Sequence, residues 1–207
     1  MSPDRRATRR QETKDEIVAA AWELVREQGL AGLTLRELGK QVGMKAQSLY
    51  SYFASKSEIF DAMFREGYLA FAAQNDDLDA LGAGTAVDGA AALRQAAQRF
   101  FHFCTSDPVR YQLLFQRTIP DFVPSEDSYA LALDVFERMT RGFAAVGLDD
   151  PAIVDLWTAL LTGLTDQQIS NDPGGHRWER LVDPAVDMFL VANAPHLLAP
   201  ITEGTNP

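Results

Sequence analysis

The chain has 207 residues, 46% of them hydrophobic, and a formal net charge of −10. That length suffices for one large or two modest domains with packed cores, and no apolar run is long enough for a helical membrane span. The single cysteine, Cys104, excludes an intrachain disulfide, and the charged N-terminus lacks the apolar stretch of a signal peptide, so a reducing, cytoplasmic setting is expected.

The charge is unevenly spread. Residues 1–60 hold ten Lys/Arg against eight Asp/Glu, and residues 61–207 hold nine against twenty-one. A mildly basic module on an acidic body binds phosphate locally while the body repels non-specific contact; an acidic body also simply aids solubility. Strand-like alternation is scarce, so the expected fold is all-α with about nine helices.

Residues 1–12 have no apolar periodicity and are expected to be disordered in isolation. Arg5, Arg6, Arg9 and Arg10 form a basic arm, which either lies along phosphates or in a minor groove, or is a solvated tail. Helix 1 is expected to start at the Thr13-x-x-Glu16 capping box and end near Gly29. Its apolar face is Ile17, Ala20, Ala21, Leu24 and Val25, with Trp22 at the edge.

Residues 34–56 read as a helix-turn-helix followed by the cap of the next helix. Thr34 and Glu37 make a capping box, with Leu33 and Leu38 at the staple spacing. Gly43 closes this helix. The second helix, expected over Lys45 to Phe53, has Leu49 and Phe53 on its apolar side. Lys45, Gln47, Ser48, Ser51 and Tyr52 lie on the other faces, which suits a DNA major groove. Tyr50 is at their edge, as a phosphate contact or a core aromatic. A third capping box, Ser55-x-x-Glu58, starts helix 4.

These stretches, I-V-A-A-A-W-E-L-V-R-E-Q-G, then G-L-A-G-L-T-L-R-E-L-G-K-Q-V-G, then L-Y-S-Y-F-A-S-K-S-E-I-F, resemble the DNA-binding domain of the TetR family of transcriptional regulators. The resemblance covers about a quarter of the chain. It implies a DNA-binding head over residues 1–57 and a helical ligand-binding and dimerisation domain over 58–207. By position it implies phosphate contacts from Thr34, Arg36, Tyr50 and Lys56, with Lys45, Ala46, Gln47, Ser48, Ser51 and Tyr52 facing bases and the flanking backbone. Lys45 departs from the family, which usually has Ser or Thr there. Lysine cannot accept the cap hydrogen bond, at a cost of about 1 kcal/mol, or it trades that cap for a DNA contact.

Helix 4 is expected to run to about Gln74, followed by a small-residue and acidic loop over 75–89. Later helices are expected over 86–105, from Pro108 to before Pro120, over 126–146 with Leu133, Phe136, Met139, Thr140 and Phe143, and from Pro151 to about Ser170. A last region, 177–194, is expected to be kinked or divided by Pro184, with a mobile tail after Pro195.

An aromatic-rich interior suits a small apolar or aromatic ligand. Its candidate wall is Phe64, Tyr68, Phe101, His102, Cys104, Tyr111, Phe115, Phe136, Met139, Phe143, Trp157 and Gln168, much of which must be core. The resemblance implies a homodimer through the last two long helices, with Leu156, Ala159, Leu160, Gly163, Gln167, Val186, Phe189, Leu190 and Asn193 at the interface. No metal-ligand spacing, phosphate loop or catalytic motif is present, so no cofactor and no catalysis are expected. The expected protein is a repressor that binds a palindromic DNA operator as a dimer and is released by a small effector. The rival is a helical small-molecule carrier or enzyme with a vestigial DNA module.

Overall fold

A computed structural model describes residues 3–75 and 86–198. Within them the chain forms nine α-helices and no strand: α1 (Pro3–Gly32), α2 (Leu35–Gln41), α3 (Ala46–Leu49), α4 (Lys56–Gln74), α5 (Ala86–Ser106), α6 (Pro108–Phe115), α7 (Glu126–Ala145), α8 (Pro151–Asn171) and α9 (Val182–Asn193). The all-α expectation holds. The loop expected over 75–89 lies mostly outside the described residues, as do residues 199–207 of the tail.

Two compact units interleave along the chain, one of Met1–Ala70 with Val109–Ala132, the other of Phe71–Pro108 with Leu133–Pro207. The first is built on Ile17, Ala21, Leu24 and Val25 of α1, Leu38 of α2, Leu49 of α3, and Ile59, Phe60 and Met63 of α4, with Leu113 of α6. Trp22, expected at the edge, is buried in this core and carries the Arg26 guanidinium 5.5 Å above its ring. The second unit's core joins Leu93, Ala97 and Phe101 of α5, Phe143 of α7, Val154, Trp157 and Leu161 of α8, and Val182, Val186, Phe189 and Leu190 of α9.

Several local expectations need correction. α1 begins at Pro3, so the arginine arm is helical from the start. Thr13 does not cap it; its hydroxyl donates to the Arg9 carbonyl at 3.0 Å, one turn back. Arginine, alanine, glutamine and glutamate are good helix formers, and an existing helix propagates through them more cheaply than a new one nucleates. Gly29, at φ 74°, ends the regular part of α1 where expected. Pro184 does not break the last helix. It lies in the first turn of α9, where a missing N–H costs nothing, after a short 3-10 turn at Glu179–Leu181. The chain past Pro195 is not loose at once: Leu197 is buried in the second core.

On α7 the inward face is Ser128, Val135 and Phe143 with Met139 partly buried, whereas Leu133 and Phe136 are exposed. The N-terminus of α7 is held by Asp61 of α4. Its carboxylate accepts from the Ser125 N–H at 2.7 Å and from the Ser125 and Ser128 hydroxyls at 2.9 Å each. Just upstream, Phe122 packs its ring 5.7 Å from Phe60 and 6.4 Å from Phe64.

Candidate nucleic-acid interface

Thr34 caps α2 through its hydroxyl, which accepts from the Glu37 N–H at 3.2 Å. The expected reciprocal bond is not made. Glu37 turns to Lys40 at 2.9 Å, and that hydrogen bond, ahead of simple charge attraction, holds its carboxyl below the usual range. The α4 box is closer to complete: Ser55 accepts from the Glu58 N–H at 3.2 Å, and Glu58 accepts from the Ala54 N–H at 2.7 Å.

α2 and α3 meet at Gly39. A Cβ there would stand 2.7 Å from the Met44 carbonyl oxygen and 3.3 Å from the Ala46 nitrogen. The turn itself uses the Gly39 carbonyl, which accepts from the Met44 N–H at 2.7 Å, and Gly43 at φ 68°. Sequence reasoning passed over Gly39. A glycine inside a short helix, where alanine would be favoured by about 1 kcal/mol, is the signal that marks a close backbone approach.

α3 is shorter than expected, Ala46–Leu49 rather than Lys45 to Phe53, and continues as a tight turn in which the Tyr52 and Phe53 N–H groups both donate to the Leu49 carbonyl at 2.9 Å. The faces survive the shortening. Leu49 and Phe53 are buried, and Lys45, Gln47, Ser48 and Ser51 are exposed, with Ala46 and Tyr52 half-buried. Lys45 stands at the N-cap and makes no side-chain cap bond, as lysine must. Tyr50 is 55% exposed, which removes the core-aromatic alternative. Thr34 and Arg36 are exposed and Lys56 is half-buried.

The arginine arm comes to the same face. Arg6, Arg9 and Arg10 line a cleft of about 240 Å³ with Thr13, Ser51 and Tyr52. The Arg10 guanidinium lies 5.3 Å from the centre of the Tyr52 ring. Ser51 donates its hydroxyl to the Ser48 carbonyl at 2.6 Å. No carboxylate lines this cleft, and α3 contains no acidic residue. The whole chain is acidic, yet this patch presents guanidinium, ammonium, amide and hydroxyl groups, the set that binds phosphate oxygens and base edges.

The sequence profile described as bacterial regulatory proteins, tetR family, matches residues 17–63, which run from the middle of α1 to the first half of α4. Over this head the chain is similar to the TetR family. A relative of the TetR-like chain, the HTH-type transcriptional regulator Rv1816 of Mycobacterium tuberculosis (strain ATCC 25618 / H37Rv), is 27% identical over 149 residues. That alignment covers 67% of this chain and 62% of the relative, so the chain matches less than two thirds of that protein's length. Among solved structures, SCO4313 superposes with a TM-score of 0.68 at 21% identity, covering 92% of this chain and all of the other. A TetR variant from Acinetobacter baumannii AYE, in complex with minocycline, gives a TM-score of 0.54 at 19% identity over 85% of this chain and 93% of its own. At these identities the superpositions establish the TetR fold.

The expected ligand wall is distributed as follows. In the first unit, Phe64, Tyr68, Tyr111 and Phe115 form a ring cluster, with centroids 4.8 Å apart for Phe64–Tyr68, 5.7 Å for Tyr68–Phe115 and 5.9 Å for Tyr111–Phe115. The Tyr68 hydroxyl donates to the Leu114 carbonyl at 3.2 Å. In the second unit, Phe101, Phe143 and Trp157 are packed core, with Met139 against them and Cys104 fully buried.

Three members have other tasks. Phe136 is 48% exposed. His102 is exposed, 3.5 Å from Glu179. Gln168 is consumed by the α8–α9 loop: its amide nitrogen donates to the Asp172 and Gly175 carbonyls, and its oxygen accepts from the Trp178 N–H at 2.9 Å. Thr140 likewise spends its hydroxyl on the Glu137 carbonyl at 2.9 Å.

The residues expected at a dimer interface divide between two settings. On α8, Leu156, Ala159, Gly163 and Gln167 are exposed and Leu160 is half-buried, a continuous outward stripe. On α9, Val186, Phe189 and Leu190 belong to the chain's own core, and Asn193 donates its amide to the Phe189 carbonyl at 2.9 Å. The outward apolar residues of α9 are Met188 and Val191, each 64% exposed. α9 is apolar on both sides, and periodicity alone does not say which side meets the chain's own core.

Proposed function

We propose that the protein is a cytoplasmic transcriptional repressor that binds a palindromic operator in double-stranded DNA as a homodimer. Residues 1–57 read the operator, and residues 58–207 bind an effector and dimerise. The observation that carries this reading is the exposed α3 face beside the carboxylate-free cleft of Arg6, Arg9 and Arg10. Gln47 and Ser48 offer hydrogen bonds to base edges, Ala46 suits a thymine methyl, and Thr34, Arg36, Lys45, Tyr50 and Lys56 suit phosphates. Arg10, stacked on Tyr52, is held ready for a phosphate rather than ordered on binding, which lowers the entropic cost of the contact. One four-residue reading helix has little affinity alone, so a two-fold partner and half-sites about one helical turn or its multiples apart follow. The outward stripes of α8 and α9 are apolar and suit that partner.

A neighbour in fold holds minocycline. The effector here is a small, largely apolar or aromatic molecule, with the Phe64, Tyr68, Tyr111 and Phe115 rings as candidate lining. It opposes DNA binding by preferring a conformation in which the two heads no longer match the operator. Selection of bound fragments from random and genomic DNA at low salt tests the reading. A recovered palindrome is expected; a folded dimer that enriches no palindrome overturns it.

A further inference from the structure

We propose a further small-molecule site beside Lys56 in the first unit, which takes a single-ring or short branched carboxylate and holds it on that lysine. The cavity has a volume of about 230 Å³ and lies wholly within the first unit. That is below the range of about 300–1,000 Å³ of drug-sized sites, so it fits one ring with one polar substituent. Its apolar side chains are Leu30 at the end of α1, Phe60 on α4, and Ile119 and Phe122 from the segment after α6. Phe60 and Leu30 are buried members of the first core and Phe122 packs on Phe60, so the floor is firm.

The lining carries one charge, the Lys56 ammonium, together with the Ser57 and Thr118 side chains, and no carboxylate. The ammonium lies over the face of the Phe60 ring, 5.2 Å from its centre. A lining of apolar side chains with one cation and two hydroxyl residues is complementary to an amphiphilic monoanion: the ring or branched chain fills the cavity and the carboxylate meets Lys56. The site shares no lining residue with the Phe64, Tyr68, Tyr111 and Phe115 ring cluster.

Its effect on DNA rests on the reading of Lys56 as a phosphate contact. One ammonium cannot serve the ligand carboxylate and a DNA phosphate at full strength together. The carboxylate therefore weakens operator binding directly, and DNA weakens carboxylate binding by the same factor.

Benzoate, with benzamide as its uncharged counterpart, is the probe. Calorimetric titration of the full chain without DNA is expected to show saturable benzoate binding that Lys56→Met weakens about tenfold, with benzamide weaker than benzoate on the wild type and unaffected by the substitution. Ser57→Phe, which fills the cavity from its exposed rim, is expected to abolish binding of both. Absence of saturable benzoate binding, or benzoate binding indifferent to Lys56→Met and Ser57→Phe, overturns the site. This arm needs no DNA, so it fails or succeeds independently of the regulator reading. In the second arm, saturating benzoate is expected to lower operator affinity about tenfold for wild type and not for Lys56→Met. Benzoate binding that leaves operator affinity unchanged overturns the competition.

Discussion

Gly39 of α2 and Gln47 of α3 lie on either side of the same turn, and they illustrate two kinds of necessity. Gly39 is structural: the space where a Cβ would go is taken by the Met44 carbonyl, a backbone atom that cannot swing away. Gly39→Ala gains helix propensity, yet the overlap dominates because α2 must shift against α3. A net loss of about 1–3 kcal/mol is expected, read as a lower urea midpoint, and an unchanged midpoint would show that α2 can slide freely. Gln47 is exposed and supports nothing, so Gln47→Ala is expected to leave stability alone. In a DNA selection the same substitution is expected to relax preference at one base pair by about 1–3 kcal/mol. A motif identical to that of the wild type would remove Gln47 from base reading. The exposed face of α3 and of the turn after it was legible in the residues because Leu49 and Phe53 are the strongly apolar positions there. Gly39 was legible only as an oddity, since the atom it makes room for belongs to another element.

At the scale of elements, the α8–α9 loop is a polar knot. Gln168 from α8 bonds to the Asp172 and Gly175 carbonyls, the Asp172 carboxylate accepts from the Arg177 N–H at 2.8 Å, and Glu179 receives His176 at 2.5 Å with His102 of α5 3.5 Å away. Hydrogen bonding to Glu179, then attraction to that carboxylate, raises the His176 pKa above its ordinary 6.5. A raised folded-state pKa means that folding favours the protonated ring. The contribution is therefore fully present below the unfolded value and is lost as pH rises through the folded one. His176 is exposed, so the effect is small. The difference in melting temperature between wild type and His176→Gln is expected to shrink as pH rises from about 6 to about 8.5, and a difference that grows would reverse the assignment. Helix starts with a proline or hydroxyl signal, such as Asp150-Pro151 with its 2.9 Å bond to the Ala152 N–H, were readable locally. The start of α1 was not. Thr13 has the composition of a cap, but a helix already running through Arg5 to Arg10 leaves no free N–H groups for it to satisfy.

For the molecule as a whole, assembly depends on which side of α9 is left outside. Met188 and Val191 are exposed, and so is Leu156 on α8, at 56%. Met188→Glu with Val191→Glu places like charges at the centre of the proposed two-fold contact without touching either core. Light scattering is expected to find a folded monomer whose operator affinity falls at least about tenfold, because half of the contacts leave with the partner. Phe136→Glu on α7 serves as a control that stays dimeric. A dimer that survives the double substitution would place the partner elsewhere.

The sequence alone determined the helical class, most helix ends and the polar face of the reading helix, because caps, prolines and apolar spacing act over three or four residues. It also carried the TetR-like residues of the head, whose short-range pattern is dense enough to recognise. Tertiary structure decided what depends on neighbours distant in sequence: that Gln168 ties the α8–α9 loop together, that Val186, Phe189 and Leu190 face inward, and that Phe122 and Asp61 bind the segment before α7 to α4. The physical reason is that an apolar or hydrogen-bonding side chain announces only its need for a partner. Which partner satisfies it is settled by packing, over distances along the chain that no local pattern spans.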